Sequence, residues 1–231
     1  MDLRSRSNFI NLAAKFLIMG GVLVPFRFYG YDALIYLISA VIGLLISYRA
    51  YRLHKMSGER VHFYLYMAFA VLSVGLATLS LTSGYAYAKY FVHGEDVLFD
   101  ELFDVADMGR WIYFFASLLS YGLFVLMYLP KSERDKFLIA LPIGFSYLAY
   151  MHVVLFFLIG YVTLRAAFNF VSKKSLSSML VAGGFLLISM YHASMPFTTF
   201  HRYVYVFSHV CLVSGFLCLL VMLIKVGKGN D

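Results

Sequence analysis

Histidines in apolar segments are the residues of this sequence whose type and position favour chemistry. His152, His192 and His209 lie within or at the ends of long apolar runs, and His201 begins the last of these runs. An imidazole can donate, accept or take up a proton near neutral pH. Because ionisable groups are costly inside a membrane, each is a functional candidate. His209 is the strongest functional candidate, because it lies eight residues beyond His201, which is about 12 Å deeper along a helix. The alternative to a functional role is a neutral histidine that forms a hydrogen bond to a neighbouring helix.

Charged side chains are predicted at the same end of the apolar runs as the histidines. Asp32, Arg110 and Arg202 each lie near one end of such a run. Polar groups that converge at one end of a membrane bundle are typical of a site that faces the adjacent solution. The predicted ligand-binding candidates are therefore His209, His192, His152, Arg110, Arg202 and Asp32.

An acidic segment, residues 91–108, precedes the run that follows Arg110. The candidate residues in this segment are Asp96, Asp100, Glu101, Asp104 and Asp107. Apolar residues recur between them at helical spacing, which predicts a short amphipathic helix on the outer membrane interface. Such a helix would attract a cation or a basic partner, or cover a cavity. A solvated connector is the alternative.

Other chemistries have weaker support. A haem between His152 and His192 would need opposed imidazoles at equal depth, and the predicted depths match, but the sequence contains no haem-attachment signature. A zinc hydrolase would need a closer ligand set, such as His-Glu-x-x-His, which is absent. A nucleophile elbow, a phosphate loop and paired mid-membrane carboxylates are also absent. We therefore predict no catalytic residue, no metal, no cofactor and no enzymatic activity.

The apolar runs that carry the candidates are those of a membrane protein. Hydrophobic residues make up 62% of the 231 residues and charged residues 13%, against roughly 45–50% and about 25% in a soluble domain. Runs such as "ALIYLISAVIGLLISY" approach the roughly 20 residues needed to cross the hydrocarbon core. Tyrosines near the ends of the runs, such as Tyr31 and Tyr205, are typical of interfacial belts. The sequence thus predicts an all-α, multi-pass protein of the cell membrane.

Lysines and arginines predict the number and direction of the crossings. Five clusters hold 15 of the 19 basic residues, and such clusters favour the cytoplasmic side. Eight crossings place all five clusters inside and both termini in the cytoplasm. The predicted spans are 9–27, 31–50, 61–88, 108–129, 135–150, 152–172, 176–195 and 201–224. If 135–172 crosses only once, giving seven spans, the basic residues divide as 11 inside and 8 outside.

An internal repeat is predicted from matches that keep the order of the chain. Lys-Phe-Leu-Ile occurs at Lys15 and again at Lys136, each time at the start of an apolar run. Further matches pair Arg49 with Arg165, Phe69, Ser73 and Ala77 with Phe185, Ser189 and Ala193, Arg110 with Arg202, and Phe124 with Phe216. The predicted halves, 1–130 and 131–231, each contain four helices. Because four is even, the halves are parallel and related by a pseudo-two-fold axis along the membrane normal. Generic basic residues at helix ends are the alternative explanation.

Three functions remain open from the sequence. The leading hypothesis is a sensor or accessory module that recognises a ligand or partner at its outer face, because short spans with basic inner turns and no catalytic set are similar to stand-alone membrane sensor modules of prokaryotes. The alternatives are a transporter or channel made of two halves, and a b-type haem electron carrier. Basic inner loops such as "YRAYRLHKMSGER" favour anionic lipid headgroups or an acidic cytosolic protein as partners. A second membrane protein is the other partner considered, whereas nucleic acid is not expected.

Overall fold

The computed structural model describes residues 29–93, 99–130, 151–198 and 202–228. Within these ranges all regular elements are helices, and the described chain contains no strand. The helices are α1 (Tyr29–Ser57), α2 (Arg60–His93), α3 (Phe99–Tyr128), α4 (Met151–Lys173), α5 (Leu176–Ser194) and α6 (Arg202–Lys228). A 3₁₀ turn, Met195–Phe197, follows α5 at Pro196, which lacks the N–H that an α-helix requires.

All six helices contain a segment long and apolar enough to cross a membrane. These segments run from 22 to 33 residues, and about 20 are needed. The prediction of an all-helical, multi-pass membrane protein is confirmed to this extent. The six helices correspond to the predicted spans 31–50, 61–88, 108–129, 152–172, 176–195 and 201–224. The predicted spans 9–27 and 135–150 lie outside the described residues.

The acidic segment differs from its prediction. From Phe99 onward it forms the first turns of α3, so this part is continuous with the membrane-spanning helix rather than a separate interfacial helix. The physical reason is that Val105 and Ala106 already belong to the face that α3 buries further along. Asp96 lies outside the described residues. The backbone of Asp100, Glu101 and Asp104 belongs to α3, whereas their side chains lie outside the described part.

Short turns with local capping join the helices at the predicted cytoplasmic end. After α1, Gly58 adopts a φ of 66° and its N–H donates to the carbonyl of His54 at 2.8 Å, as at a glycine that ends a helix. Between α4 and α5, Ser175 caps α5 in a reciprocal pair with Ser178. Turns this short force neighbouring helices to run antiparallel, which fixes the direction of α2 against α1 and of α5 against α4.

The six helices form a closed ring. Each helix packs against the next one in the chain, including α3 against α4, and the last helix, α6, packs against the first, α1. The outward-facing side chains include large apolar residues such as Leu44, Phe157 and Val221, as expected for surfaces that face lipid. The main backbone contacts between the first three described helices and the last three are those of α1 with α6 and of α3 with α4; we call these contacts the seams.

Small residues bring some helices into close contact. A Cβ atom on Gly184 of α5 would lie 3.0 Å from the backbone oxygen of Gly215, and a Cβ on Gly215 of α6 would lie 2.8 Å from that of Gly184. The two backbones therefore approach directly. Close packing of this kind replaces the hydrophobic driving force that is missing between helices in lipid. It also draws α5 and α6 together beside Phe185 and Phe216, the residues that follow the two glycines.

Candidate functional site

The seam between α1 and α6 holds a buried histidine beside a buried carboxyl group. His209 of α6 is fully buried, and Asp32 in the first turn of α1 is 4% exposed. The Nε2 atom of His209 lies 3.7 Å from Oδ1 of Asp32 and 3.1 Å from the hydroxyl of Tyr36. Its Nδ1 atom lies 2.9 Å from the backbone oxygen of Tyr205, one turn earlier on α6. Both ring nitrogens therefore have polar neighbours, which fix the plane of the imidazole.

Four tyrosine rings surround the imidazole of His209. The ring centroids of Tyr205, Tyr36, Tyr191 and Tyr31 lie 4.4, 5.4, 5.9 and 6.0 Å from that of His209. Three helices contribute these rings, so the position of His209 depends on α1, α5 and α6 together. Aromatic faces attract a cation placed over them, which would stabilise a protonated imidazole.

A second buried histidine lies at the other side of the ring, near the seam between α3 and α4. His192 of α5 is fully buried, and its Nε2 atom lies 2.7 Å from the hydroxyl of Tyr121 of α3. Its Nδ1 atom lies 3.0 Å from Nδ1 of His152, near the start of α4. A neutral imidazole has one donor and one acceptor nitrogen, so His192 can donate to either neighbour while it accepts from the other.

Tyr191 lies between the two histidine groups. Its ring packs against His209 on one side, and on the other against His152, with centroids 5.9 Å apart in both cases. Its hydroxyl lies near those of Tyr36 and Tyr113. We refer to the whole group as the polar cluster: Asp32, Tyr36, Tyr113, Tyr121, His152, Tyr191, His192, Tyr205 and His209.

Several buried polar atoms near the cluster make no hydrogen bond within the described part of the chain. They include Oδ1 of Asp32 and the hydroxyls of Tyr113, Tyr191, Ser39, Ser117 and Ser120. Buried polar groups are nearly always paired with protein or water, and an unpaired one costs about 1–3 kcal/mol. The polar cluster therefore has hydrogen-bonding capacity to spare for water, for a proton or for a polar ligand.

A layer of four phenylalanines packs below the polar cluster, away from the predicted outer face. Phe69, Phe124, Phe185 and Phe216 come from four helices and are all buried. Their ring centroids lie 5.1 Å apart for Phe69 and Phe124, 5.7 Å for Phe69 and Phe216, and 5.2 Å for Phe124 and Phe185. We call this the phenylalanine layer; it fills the centre of the bundle between the cluster and the basic end.

The structure brings together four of the six ligand-binding candidates from the sequence. Asp32, His152, His192 and His209 all belong to the polar cluster. Arg110 instead pairs with Asp107, three residues earlier on α3. Arg202 begins α6, and its side chain lies outside the described residues. No three His, Cys, Asp or Glu side chains among the described residues are grouped as a metal site would require.

The tyrosines of the polar cluster were not identified from the sequence as candidate site residues. Tyr205, interpreted as part of an interfacial belt, is instead 4% exposed and packs on His209, so that interpretation is wrong for this residue. The missed signal is spacing: Tyr113 and Tyr121 are eight residues apart in an otherwise apolar run, which places them near one face of a helix. Tyr191 directly precedes His192, again inside an apolar run.

Comparisons of the chain with models of protein families, with curated proteins and with solved structures give no match.

Proposed function

We propose that this protein is an integral membrane sensor or accessory module whose input site is the polar cluster. One observation carries the proposal: a carboxyl group and three imidazoles, from α1, α4, α5 and α6, gather inside a ring of helices suited to a membrane. Each of these groups is costly in a membrane, and such groups mark functional sites. No residue of the cluster is proposed to be catalytic.

The phenylalanine layer favours recognition over passage. The rings of Phe69, Phe124, Phe185 and Phe216 pack against one another directly below the cluster. A ligand that reaches the cluster from the outer side would meet a closed apolar layer, whereas a transported solute would need the four rings to separate. The transporter or channel of the sequence hypotheses is therefore the second candidate, and it requires an additional open state.

A haem carrier receives no support from the geometry. Haem held by two histidines needs the macrocycle between the imidazoles. The Nδ1 atoms of His152 and His192 instead lie 3.0 Å apart, within hydrogen-bonding distance. The two rings thus occupy the space that a haem would need, and the residues present do not fit that group.

We also propose that the two halves are parallel repeats of four helices, giving eight spans with both termini in the cytoplasm. With a shift of 116 residues, all the buried residues of α5 pair with buried residues of α2. The pairs are Gly184 with Ala68, Phe185 with Phe69, Ile188 with Leu72, Ser189 with Ser73, Tyr191 with Gly75, and His192 with Leu76. Each helix contact within the first half has a counterpart in the second, and the two seams are counterparts of one another.

The phenylalanine layer supports the repeat independently. The sequence matches pair Phe69 with Phe185 and Phe124 with Phe216. Exchanging the partners converts the contact of Phe69 with Phe216 into that of Phe185 with Phe124. These contacts have centroid distances of 5.7 and 5.2 Å and interplanar angles of 66° and 67°. An experimental structure should superpose α1–α3 on α4–α6 by a rotation near 180°; a superposition that needs a different helix order would exclude the repeat.

The basic turns are proposed as the surfaces for lipid and for a partner. Arg49, Arg52, Lys55 and Arg60 are all exposed at the turn between α1 and α2. Clusters of this kind attract anionic headgroups, and they would also suit an acidic cytosolic protein. Since a sensor without a catalytic group needs a partner to act, this is where we propose the signal leaves the molecule.

Reconstitution in liposomes separates sensing from transport. Fluorescence of Trp111, the single tryptophan, reports on α3 next to Tyr113, and solute or ion flux is recorded in the same vesicles. Sensing predicts that a change of outer solution, in pH or in candidate small polar ligands, alters the Trp111 emission while flux stays at the level of empty liposomes. Flux that depends on His209 or His192, above the level of empty liposomes, would contradict it and favour the transporter.

A further inference from the structure

The hydrogen bonds of His209 define which of its nitrogens carries a proton. Nδ1 lies 2.9 Å from the backbone oxygen of Tyr205, and because a carbonyl only accepts, Nδ1 carries a hydrogen. In a neutral imidazole Nε2 is then an acceptor. Nε2 faces the Tyr36 hydroxyl at 3.1 Å, which can donate to it, and Oδ1 of Asp32 at 3.7 Å.

An ionised Asp32 conflicts with a neutral His209 in this arrangement. Oδ1 makes no hydrogen bond within the described residues, and the Asp32 side chain is 6% exposed. Among the described residues no lysine or arginine pairs with Asp32, so within this part of the chain a buried carboxylate beside the lone pair of Nε2 has little solvent and no counter-charge. One added proton removes the conflict, either as an imidazolium beside a carboxylate or as a carboxylic acid beside a neutral imidazole. We propose that Asp32 and His209 form a proton-binding site, so that the proton is the ligand of the polar cluster; this inference rests on the proposed sensing function.

The groups that face this pair come from every helix packed around it. Tyr31, Tyr36, Tyr191 and Tyr205 pack on the His209 ring itself, and His152 on α4 lies on the far side of Tyr191. Further out are Tyr87 on α2, beside Gly30, Tyr113 and Arg110 on α3, near Tyr36, and His192 on α5, against Tyr121. The guanidinium of Arg110 pairs with Asp107 on its own helix. Among the described residues the carboxyl group next to Nε2 is that of Asp32, and the tyrosine faces around His209 suit a positive imidazolium.

A proton fits this site better than a molecule does. The space around His209 is taken up by its own neighbours, with four tyrosine rings at centroid distances from 4.4 to 6.0 Å. A proton needs no further volume, only an acceptor and a means of balancing its charge. Nε2 and the Asp32 carboxyl group supply both.

Protonation at one seam can be transmitted to the other through hydroxyl groups. When Nε2 gains a hydrogen it no longer accepts from Tyr36, so the Tyr36 hydroxyl must turn to another acceptor. The Tyr191 hydroxyl lies near it, and Tyr191 also packs on His152. There, the chain His152–His192–Tyr121 has two proton arrangements, because Nδ1 of His192 can donate to His152 while Nε2 accepts from Tyr121, or the reverse.

The chain contains a matched control for the test. His62 and Glu59, at the turn between α1 and α2, form a pair with the same chemistry and the same 3.7 Å nitrogen–oxygen distance, but the Glu59 side chain is 64% exposed. Solvent therefore reaches this second pair, in contrast to the buried pair of Asp32 and His209. The variants to compare are therefore Asp32→Asn and His209→Gln against Glu59→Gln and His62→Gln, all in the full-length protein in nanodiscs.

Two spectra of these samples between pH 5 and pH 8 decide the proposal. Infrared spectra report a protonated carboxylic acid, and nitrogen NMR of ¹⁵N-labelled histidine reports an imidazolium. We expect one of two signals from the pair in the wild type: a carboxylic acid band that Asp32→Asn removes and His209→Gln shifts, or an imidazolium resonance that both variants remove. Both control variants should leave that signal unchanged. A cooperative thermal transition in each sample confirms that the variants are folded; if Asp32→Asn does not fold, His209→Gln alone provides the comparison.

An ionised Asp32 beside a neutral His209 across that whole pH range would overturn the inference. That result does not contradict the proposed sensing function if a polar molecule changes the Trp111 emission of the wild type. The same molecule should then leave the emission of His192→Gln unchanged. The sensing function itself fails by a different result, namely cluster-dependent flux. The two failures are therefore distinguishable.

Discussion

Nε2 of His209 lies near both the Tyr36 hydroxyl and the Asp32 carboxyl group, and the proposed function depends on this arrangement. The sequence allowed His209, Asp32, His152 and His192 to be singled out, because ionisable residues are rare in apolar runs. It did not reveal which of them meet, since α1 and α6 are 173 positions apart at the contact of Tyr36 with His209. The tyrosines could not be separated from interfacial tyrosines by residue type alone.

Tyr121→Phe is predicted to destabilise the protein, because it leaves Nε2 of His192 buried without its 2.7 Å partner. The expected loss is about 1–3 kcal/mol of unfolding free energy. Chemical denaturation in mixed detergent micelles measures it. Tyr48→Phe is the control, since Tyr48 is 58% exposed, and an equal loss in both variants would argue against a structural role for the Tyr121 hydroxyl.

At the scale of helices, the lengths of the apolar runs predicted which segments form helices, but they predicted the first and last residues of those helices less well. The six described helices match six predicted spans, yet α2 extends to His93 and α3 begins at Phe99, inside the acidic segment for which a separate interfacial helix was predicted. Helices continue into water when their apolar stripe and their backbone bonding continue, so the membrane boundary is not a helix boundary. Helix packing also depends on small residues, whose partners the sequence does not name.

Gly184→Ala is predicted to push α5 away from α6, because the new Cβ would lie 2.7 Å from the Leu219 side chain and 3.0 Å from the Gly215 backbone oxygen. Overpacking of this kind costs about 1–3 kcal/mol. Gly183→Ala is the matched control, since a Cβ there meets nothing within 4 Å and alanine favours the helix. Thermal unfolding in detergent should show a lower midpoint for Gly184→Ala only; similar midpoints would mean that the helices are not in direct contact.

Phe216→Ala is predicted to open the phenylalanine layer. Phe216 is fully buried and packs on Phe69, so its removal should cost about 3–5 kcal/mol and leave an apolar gap below the polar cluster. Proton leak into liposomes loaded with a pH-sensitive dye should rise relative to the wild type. Phe157→Ala, at an exposed position on the outside of the bundle, should leave both stability and leak unchanged. An equal leak in that variant would contradict the proposal that the phenylalanine layer closes the path below the cluster.

At the scale of the whole molecule, the proposed repeat combines a symmetric scaffold with an asymmetric site. Charge clustering and short sequence matches predicted two halves, and the paired burial patterns and seams of the described helices support them. The polar cluster breaks this symmetry, because His192 and His209 pair with Leu76 and Ser117 in the first half. Repeat matching finds what the halves share, so it could not have located a site made of what they do not share.

Orientation is predicted to place Lys173 in the cytoplasm and Glu101 outside. The native Cys211 and Cys218 are first replaced by serine, and single cysteines are then introduced at the two positions. A membrane-impermeant maleimide applied to intact cells should label position 101 and leave position 173 unlabelled until the cells are opened. The reverse pattern would invert the molecule and place the polar cluster near the cytoplasm.

The most direct test of the account asks whether Asp32 and His209 act as one unit. The response of Trp111 fluorescence to acidification is recorded in nanodiscs for the wild type, Asp32→Asn, His209→Gln and the double variant. A shared proton predicts that each single change removes the response and that the double variant loses nothing more, as expected for coupled residues. Losses that add independently, or a full response in Asp32→Asn, would contradict the claim that the two residues form one input site.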